Sequence, residues 1–294
     1  MRQVVLLSLA DGCLGAPVLA CRDALVAEGA EVSTAVPASD AELDELIARL
    51  DGPARRDGLT WPAADGPAAD GRAGEGPPRL VVAAAAVGQL RAVVRRMVRR
   101  YAPPPSRRPA DLAPDRTLPD LPPIGVLPLY GARLFDLPDD PAEVAKAVLH
   151  GTPARLDLLR TDAGSVTLDG ALIGGTAAWS ARIEVDDSVL AEPGETIAAC
   201  AVGNAGGYGT VDGLPLVPRA DPADGVLDVA VAVPARTRRW GRTRIEIEVR
   251  RARGRAVAVQ TVEDTPYLDD GVDGTLTRKR SWWVERGAWA VLRP

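Results

Sequence analysis

Three near-continuous apolar runs, each followed by a segment of helical periodicity, limit this chain more than any other feature. They are "QVVLLSL", "RLVVAAAA" and "IGVLPL". A strand apolar at almost every position leaves no face for water. It belongs in a sheet covered on both sides, and alternating helices supply the cover. The helices are marked locally. "APVLACRDALVAEGA" closes at Gly29, and "EVSTAV" follows as a strand. Ser39 stands three residues before Glu42, a capping box, and Leu43, Leu46, Ile47 and Leu50 then repeat at helical spacing. "GQLRAVVRRMVRRY" and "DPAEVAKAVLHG" give two more helices, the last with Pro141 at its start and Gly151 past its end. Turn-rich stretches at 51–78 and 102–123 read as long loops.

After His150 the pattern changes. "ARLDLLRT", "SVTLDGALIGG", "ARIEVDD", "TIAACAVGN" and "VLDVAVAV" are short strand-like runs between turn residues, and no good helix follows. "RIEIEVRRARGRAVAVQTV" alternates strictly and reads as a hairpin turning near Arg253 and Gly254. The expected fold is an α/β N-terminal domain with a parallel sheet layered by helices, over 1–150. An antiparallel β-sandwich or barrel follows over 151–286.

Composition removes several function classes. The net charge of −5 leaves no basic footprint for nucleic acid. Cys13, Cys21 and Cys200 are too few and too scattered for a disulfide framework or a zinc cluster, and fit a reducing cytoplasm. His150 is the only histidine, so a multi-histidine metal site is excluded, while a Ser-His-Asp triad stays formally open. The opening "MRQVVLLSLADGCLGAPVLAC" loosely resembles a lipoprotein signal. Asp11 and Gly12 split its apolar run, and a buried strand over 4–9 is the expectation.

One segment of the β half is unusually specific. In "VPRADPADGVLDV", residues 217–229, Asp221, Asp224 and Asp228 crowd a turn leading into an apolar strand. Turn-forming aspartates alone explain many such sequences. Taken with the order of elements before it, the segment resembles the diacylglycerol kinase catalytic family. These are lipid kinases related to sphingosine kinases and, more distantly, to NAD kinases. The resemblance runs from "VVLLSL" to "VERGAWAVLRP", whose family counterpart is a last strand returning to the α/β domain, here over 287–294.

The resemblance implies where a nucleotide would bind and where this chain departs from it. The family's Gly-Gly-Asp-Gly loop is matched by Ala85, Ala86, Val87 and Gly88, so only Gly88 survives. Glycines there let backbone N–H groups approach phosphates, and a valine cannot ligate magnesium. The family's Asn-Pro turn after the first strand is replaced by Ser8, Leu9, Ala10 and Asp11. Its Gly-Thr-x-Asn-Asp-Phe loop is replaced by Tyr130, Gly131, Ala132, Arg133, Leu134 and Phe135. Its Asp-Gly-Glu is matched by Asp270, Gly271 and Val272. Gly88 and Gly131 are thus remnants of nucleotide loops, and Asp270, beside Asp269 and Asp273, is the candidate base for a lipid hydroxyl or else part of a solvated turn. Asp224, with carbonyls near Asp221 and Val226, is the candidate Mg2+ site. Asn204, Gly206 and Gly207 match glycine-rich residues near the family's cleft.

The implied protein is a diacylglycerol-kinase-family member with a degenerate ATP site, non-catalytic or weakly active, binding a lipid or partner between its domains. The alternative is an active kinase moving the ATP γ-phosphate to diacylglycerol or a similar lipid. Peripheral membrane contact would draw on the Arg95, Arg96, Arg99 and Arg100 face, or on Trp282 and Trp283. The first is otherwise a solvated helix face, and one of the two tryptophans otherwise core. Trp61 is expected as an isolated exposed aromatic in the first long loop.

Overall fold

The computed structural model describes residues 1–9, 15–63, 77–132, 134–239 and 242–294, with the side chains of 236–244 left aside. Asp11 and Arg133, singled out above, lie outside the described residues. The chain divides into two compact units. One comprises Met1–Leu156 with Gly287–Pro294, the other Asp157–Arg286.

The first unit runs β1 (Gln3–Ser8), α1 (Ala16–Ala27), β2 (Glu31–Ala35), α2 (Asp40–Ala48), β3 (Arg79–Ala84), α3 (Val87–Tyr101), β4 (Ile124–Pro128) and α4 (Pro141–His150). Its strands are parallel in the order β2-β1-β3-β4. Val4, Leu6, Val81, Ala83 and Leu127 pack with α1 and α4 into one core. Strand residues of the other parity, Val5, Leu7, Leu80 and Val82, are buried as well, as the continuous apolar runs require. The capping box forms: Ser39 Oγ accepts the Glu42 N–H, and Glu42 Oε2 accepts the Ala38 N–H. The arginine face of α3 is not simply solvated. Arg96 meets Asp40 and Asp44 of α2, and Arg100 meets Asp51.

The second unit continues along β5 (Thr152–Thr161), β6 (Val166–Thr167), β7 (Gly170–Ile173), β8 (Ala181–Val185), β9 (Ser188–Ala191) and β10 (Ala199–Gly203). A small hairpin of β11 (Tyr208–Val211) and β12 (Leu214–Val217) follows, then β13 (Leu227–Arg239), β14 (Arg242–Gly254), β15 (Ala256–Thr261), β16 (Thr265–Asp269), β17 (Val272–Leu276) and β18 (Arg280–Arg293). One sheet of this unit has the order β14-β13-β10-β7-β16-β17, and β18 pairs β15, which pairs β8 and then β9. Inward residues of both sheets, among them Ile173, Val202, Val231, Ile183, Val259 and Trp282, form a single core. This is the antiparallel sandwich expected from the sequence, with no helix among its described residues. Trp282 is buried there, while Trp283 is half-buried with its Nε1 donating to Glu285 Oε1 at 3.0 Å. The last residues of β18, Gly287 onward, belong to the first unit, where Val291 pairs Ile124 in parallel.

The hairpin expected to turn near Arg253 and Gly254 is not there. β14 pairs with β13 along its whole length, and β15 lies in the other sheet, against β8 and β18. Gly254 is a corner between sheets. A Cβ there would sit 2.6 Å from Asp186 Oδ2 and from Val185. Asp186 takes the N–H groups of Arg255 and Ala256 that the corner frees from pairing. Alternation alone cannot tell a turn from a strand that changes sheets.

Asp186 also has a φ of 47°, which alanine adopts at a cost. Asp186→Ala should therefore lower stability by about 1–2 kcal/mol. Urea denaturation should show a lower midpoint with an unchanged slope, and Asp186→Asn should lose less.

Candidate functional site

The loop positions fall at one end of the first unit's parallel sheet. β3 ends at Ala84, which pairs Pro128 at the end of β4, so the loops carrying Gly88 and Gly131 are neighbours. Gly88 is the second residue of α3, and Ala86 is its N-cap with no side-chain cap. A side chain of its first turn reaches back to the residue ahead of the N-cap instead. Gln89 Oε1 accepts the Ala85 N–H at 2.7 Å. The Ala85 N–H is thus satisfied from within the chain, and the neighbouring side chains of Ala85, Ala86 and Val87 are methyl and isopropyl groups. After β4, Tyr130 and Gly131 are both left-handed (φ 56° and 72°), and the Tyr130 side chain is exposed. Gly131 is required by this turn rather than by crowding, since nothing lies within 4 Å of the place a Cβ would take. Ser8 Oγ, at the end of β1, is buried and makes no hydrogen bond.

In the second unit the remaining candidates occupy two turns joined by one polar network. Asp270 and Gly271 form the two-residue loop of the β16–β17 hairpin, both left-handed (φ 50° and 79°), where Asp-Gly is the favoured pair. Asp186 and Asp212 hold like positions in other hairpins and are not buried. Asp270 differs in being buried. Its carboxylate accepts the backbone N–H groups of Leu168, Asp169 and Gly170 at 2.7–3.1 Å. Burial, then the neighbouring Asp269 charge, pushes its pKa up to about 7 against the opposing pull of those three amides. Asp269 is also buried and accepts from Thr167, while Asp273 is exposed.

The network continues through Asn204, which is fully buried. Its Nδ2 donates to the carbonyls of Asp157 and Leu168. Asp157 donates its N–H to the Pro222 carbonyl, and its Oδ2 accepts from Gly225 N, both at 2.6 Å. The β16–β17 loop and the 221–228 turn are thereby held from one frame. The sequence pattern points to Asn204 but not to Asp157. The available signal was an aspartate inside the apolar run "ARLDLLRT", since a buried acid in a strand needs a partner.

The 221–228 turn brings Asp221, Asp224 and Val226 together. Asp221 Oδ1 accepts from Ala223 N, and Asp224 Oδ1 from Val226 N. Asp224 Oδ2 pairs with Arg253 of β14, which also meets Asp228 at 3.3 Å. A divalent ion needs carboxylate and carbonyl oxygens with open lone pairs. Each Asp224 oxygen takes one such contact and keeps a further lone pair, while the Arg253 guanidinium stands where it would compete with a cation. Among the described residues no group of three or more His, Cys, Asp or Glu side chains is placed to hold a metal. Arg253 was missed because its partners lie 25 and 29 residues away in sequence.

No family model matches the chain, and no curated protein matches its sequence. Solved structures do match in fold. A diacylglycerol kinase from Bacillus anthracis str. Sterne is 14% identical, with a TM-score of 0.63 over 100% of this chain and 97% of that one. A second structure from the same organism, described as a putative diacylglycerol kinase, is 13% identical, with a TM-score of 0.65 over 100% and 98%. The chain therefore shares the fold of these structures over its whole length. No helix among the described residues is long and apolar enough to cross a membrane.

Two outcomes follow from this geometry. Because Asp270 binds its proton more tightly folded than unfolded, its contribution is fully present below about pH 4 and is lost as pH rises through about 7. The stability of the wild type relative to Asp270→Asn, read from urea midpoints, should accordingly grow as pH is lowered from about 7.5 to about 5. At the other turn, Arg253 is more than half exposed and solvent-screened. Arg253→Ala should cost about 0.5–1 kcal/mol. Magnesium should leave the melting temperature of the wild type unchanged and raise only that of the variant.

Proposed function

We propose that this chain is a diacylglycerol-kinase-family protein whose nucleotide site has degenerated, so that it binds a lipid or lipid-like ligand without useful phosphoryl transfer. The observation that carries the reading is the Ala85 N–H closed by Gln89, with Ala86 and Val87 beside it. Phosphoryl transfer is mostly positioning and charge neutralisation, so donors and acids at the phosphates are indispensable. Here the first amide is occupied, the loop aspartate is Val87, and the glutamate after Asp270 and Gly271 is Val272. Alanine and valine side chains in place of the loop's polar groups favour a lipid-like occupant over a nucleotide. The setting proposed is the cytoplasm, with at most peripheral membrane contact. Cys21 and Cys200 are free, and burial pushes both thiols up to about 12, which suits packing rather than redox chemistry.

The second reading, an active lipid kinase, draws support from Asp270. A carboxyl near neutrality is suited to general base work. Against that role, its carboxylate is already the acceptor for three backbone amides.

Purified protein with magnesium, ATP and diacylglycerol in mixed micelles should yield no phosphatidic acid above background. Ala85→Gly with Ala86→Gly and Val87→Asp should not recover full activity, because residues that act as a unit are not restored singly. Turnover comparable to that of an active lipid kinase, abolished by Asp270→Asn, would overturn the proposal in favour of the second reading.

A further inference from the structure

β13 and β14 run on past the sheet they belong to. β10 accompanies β13 only as far as Ala232, which pairs Ala199. The two strands continue side by side to Arg239 and Arg242, and no third strand pairs the rungs from Val233 outward among the described residues. At about 3.3 Å per residue, this two-stranded extension is roughly 20 Å long.

Its outer four rungs set Arg236 opposite Ile245, Thr237 opposite Arg244, Arg238 opposite Thr243 and Arg239 opposite Arg242. These eight residues include five arginines and no acid, in a chain whose net charge is −5. The first acid, Glu246, stands one rung further in, opposite Ala235. Arg239 and Arg242 share the outermost rung, a like-charge pairing that is destabilising unless an anion stands beside it. Arg236 and Arg238 fall on the same face of the ribbon as Ile245, which is 64% exposed.

Elsewhere the arginines are matched. Further in along β14, Arg250 meets Glu195 at 2.7 Å and Glu248 at 3.2 Å, Arg251 donates to the carbonyls of Pro215 and Leu216, and Arg253 pairs with Asp224 and Asp228. In the first unit, Arg55 lies 4.0 Å over the Trp61 ring and is held by Asp57 and Asp111, so Trp61 is not the isolated exposed aromatic expected from sequence. Arg96 and Arg100 of α3 are taken up by Asp44 and Asp51, and Trp282 is buried, which leaves the membrane contacts suggested by the sequence poorly placed. Charges that merely guard a sheet edge can be of either sign, whereas five of one sign make a local field.

We propose that the outer end of the β13–β14 ribbon docks on an anionic lipid surface. A surface met end-on engages both faces of the ribbon: Arg236 and Arg238 on one, Arg239, Arg242 and Arg244 on the other. The arginines neutralise headgroup phosphates, and Ile245 enters the apolar boundary beneath them. Nucleic acid would use the charge but not the exposed isoleucine. Docking there involves none of the nucleotide-loop residues, so it stands or falls apart from the proposed loss of phosphoryl transfer.

Full-length protein should sediment with vesicles of phosphatidylcholine mixed with phosphatidylserine and stay in solution with phosphatidylcholine alone. Salt at about 1 M, where charges are screened within a few ångströms, should release it. Each basic residue near such a surface is worth roughly fivefold in binding, so Arg239→Gln with Arg242→Gln and Arg244→Gln should weaken association about a hundredfold. If that variant fails to fold, Arg239→Gln alone, about fivefold weaker, serves in its place. Ile245→Ser should weaken association severalfold and leave its salt dependence unchanged. Arg95→Gln with Arg99→Gln, on α3, should bind as the wild type does. Equal sedimentation of the wild type and the ribbon variants, equal sedimentation with the two vesicle compositions, or weakening by the α3 variant alone would overturn the proposal. So would a random-sequence oligonucleotide that the ribbon binds while anionic vesicles go unbound.

Discussion

The sandwich of the second unit depends on a backbone turn that cannot satisfy its own amides. Between β6 and β7 the N–H groups of Leu168, Asp169 and Gly170 all point at one carboxylate, Asp270, which arrives from another hairpin about a hundred residues later. Buried amides left without acceptors would each carry a desolvation penalty, so this side chain completes the backbone ladder that joins β16 to β7. Asn204 repeats the device on the carbonyl side, bridging Leu168 and Asp157. The residues most easily suspected of chemistry in this unit are therefore also those that complete its backbone pairing, and the two roles must share the same lone pairs.

The first unit resolves a comparable problem in the opposite way. A helix N-terminus presents unpaired N–H groups that an anion can use. At α3 Gln89 reaches back to the Ala85 N–H just ahead of the helix, with Ala86 and Val87 between them. Alanine also favours helix over glycine and loses less freedom on folding. Alanines at this junction keep β3 and α3 in place without the glycines that a close backbone approach to a ligand would call for.

Much of this was legible beforehand because the signals are local. The three apolar runs, the Ser39–Glu42 box and Pro141 announce elements within a few residues of themselves, and the α/β-then-sandwich order follows from their sequence. What was not legible is long-range. Alternation through "RIEIEVRRARGRAVAVQTV" is the same whether the chain turns back or crosses between sheets, and the deciding contact, Asp186 with Arg255 and Ala256, comes from about 70 residues away. Arg253 against Asp224 and Asp228, Arg96 against Asp44, and Arg55 over Trp61 are invisible for the same reason: charge pairing across elements leaves no period in the sequence.

The last strand carries a consequence for how such a chain is made. The buried run Ala288, Trp289, Ala290, Val291 and Leu292 belongs to the first unit, and Leu121 N donates to Ala288 O there. A ribosome delivers the α/β segment before the second unit and this strand after it. Until this strand emerges, the open flank of β4 lacks its neighbour and Phe135 lacks the Trp289 ring it meets edge-on at 5.3 Å. The second unit, continuous in sequence, is complete before the first one can be. Vectorial synthesis thus reverses the apparent order of assembly, and the segment translated before the second unit is the one that must wait, with an unpaired sheet edge exposed, for the strand translated after it.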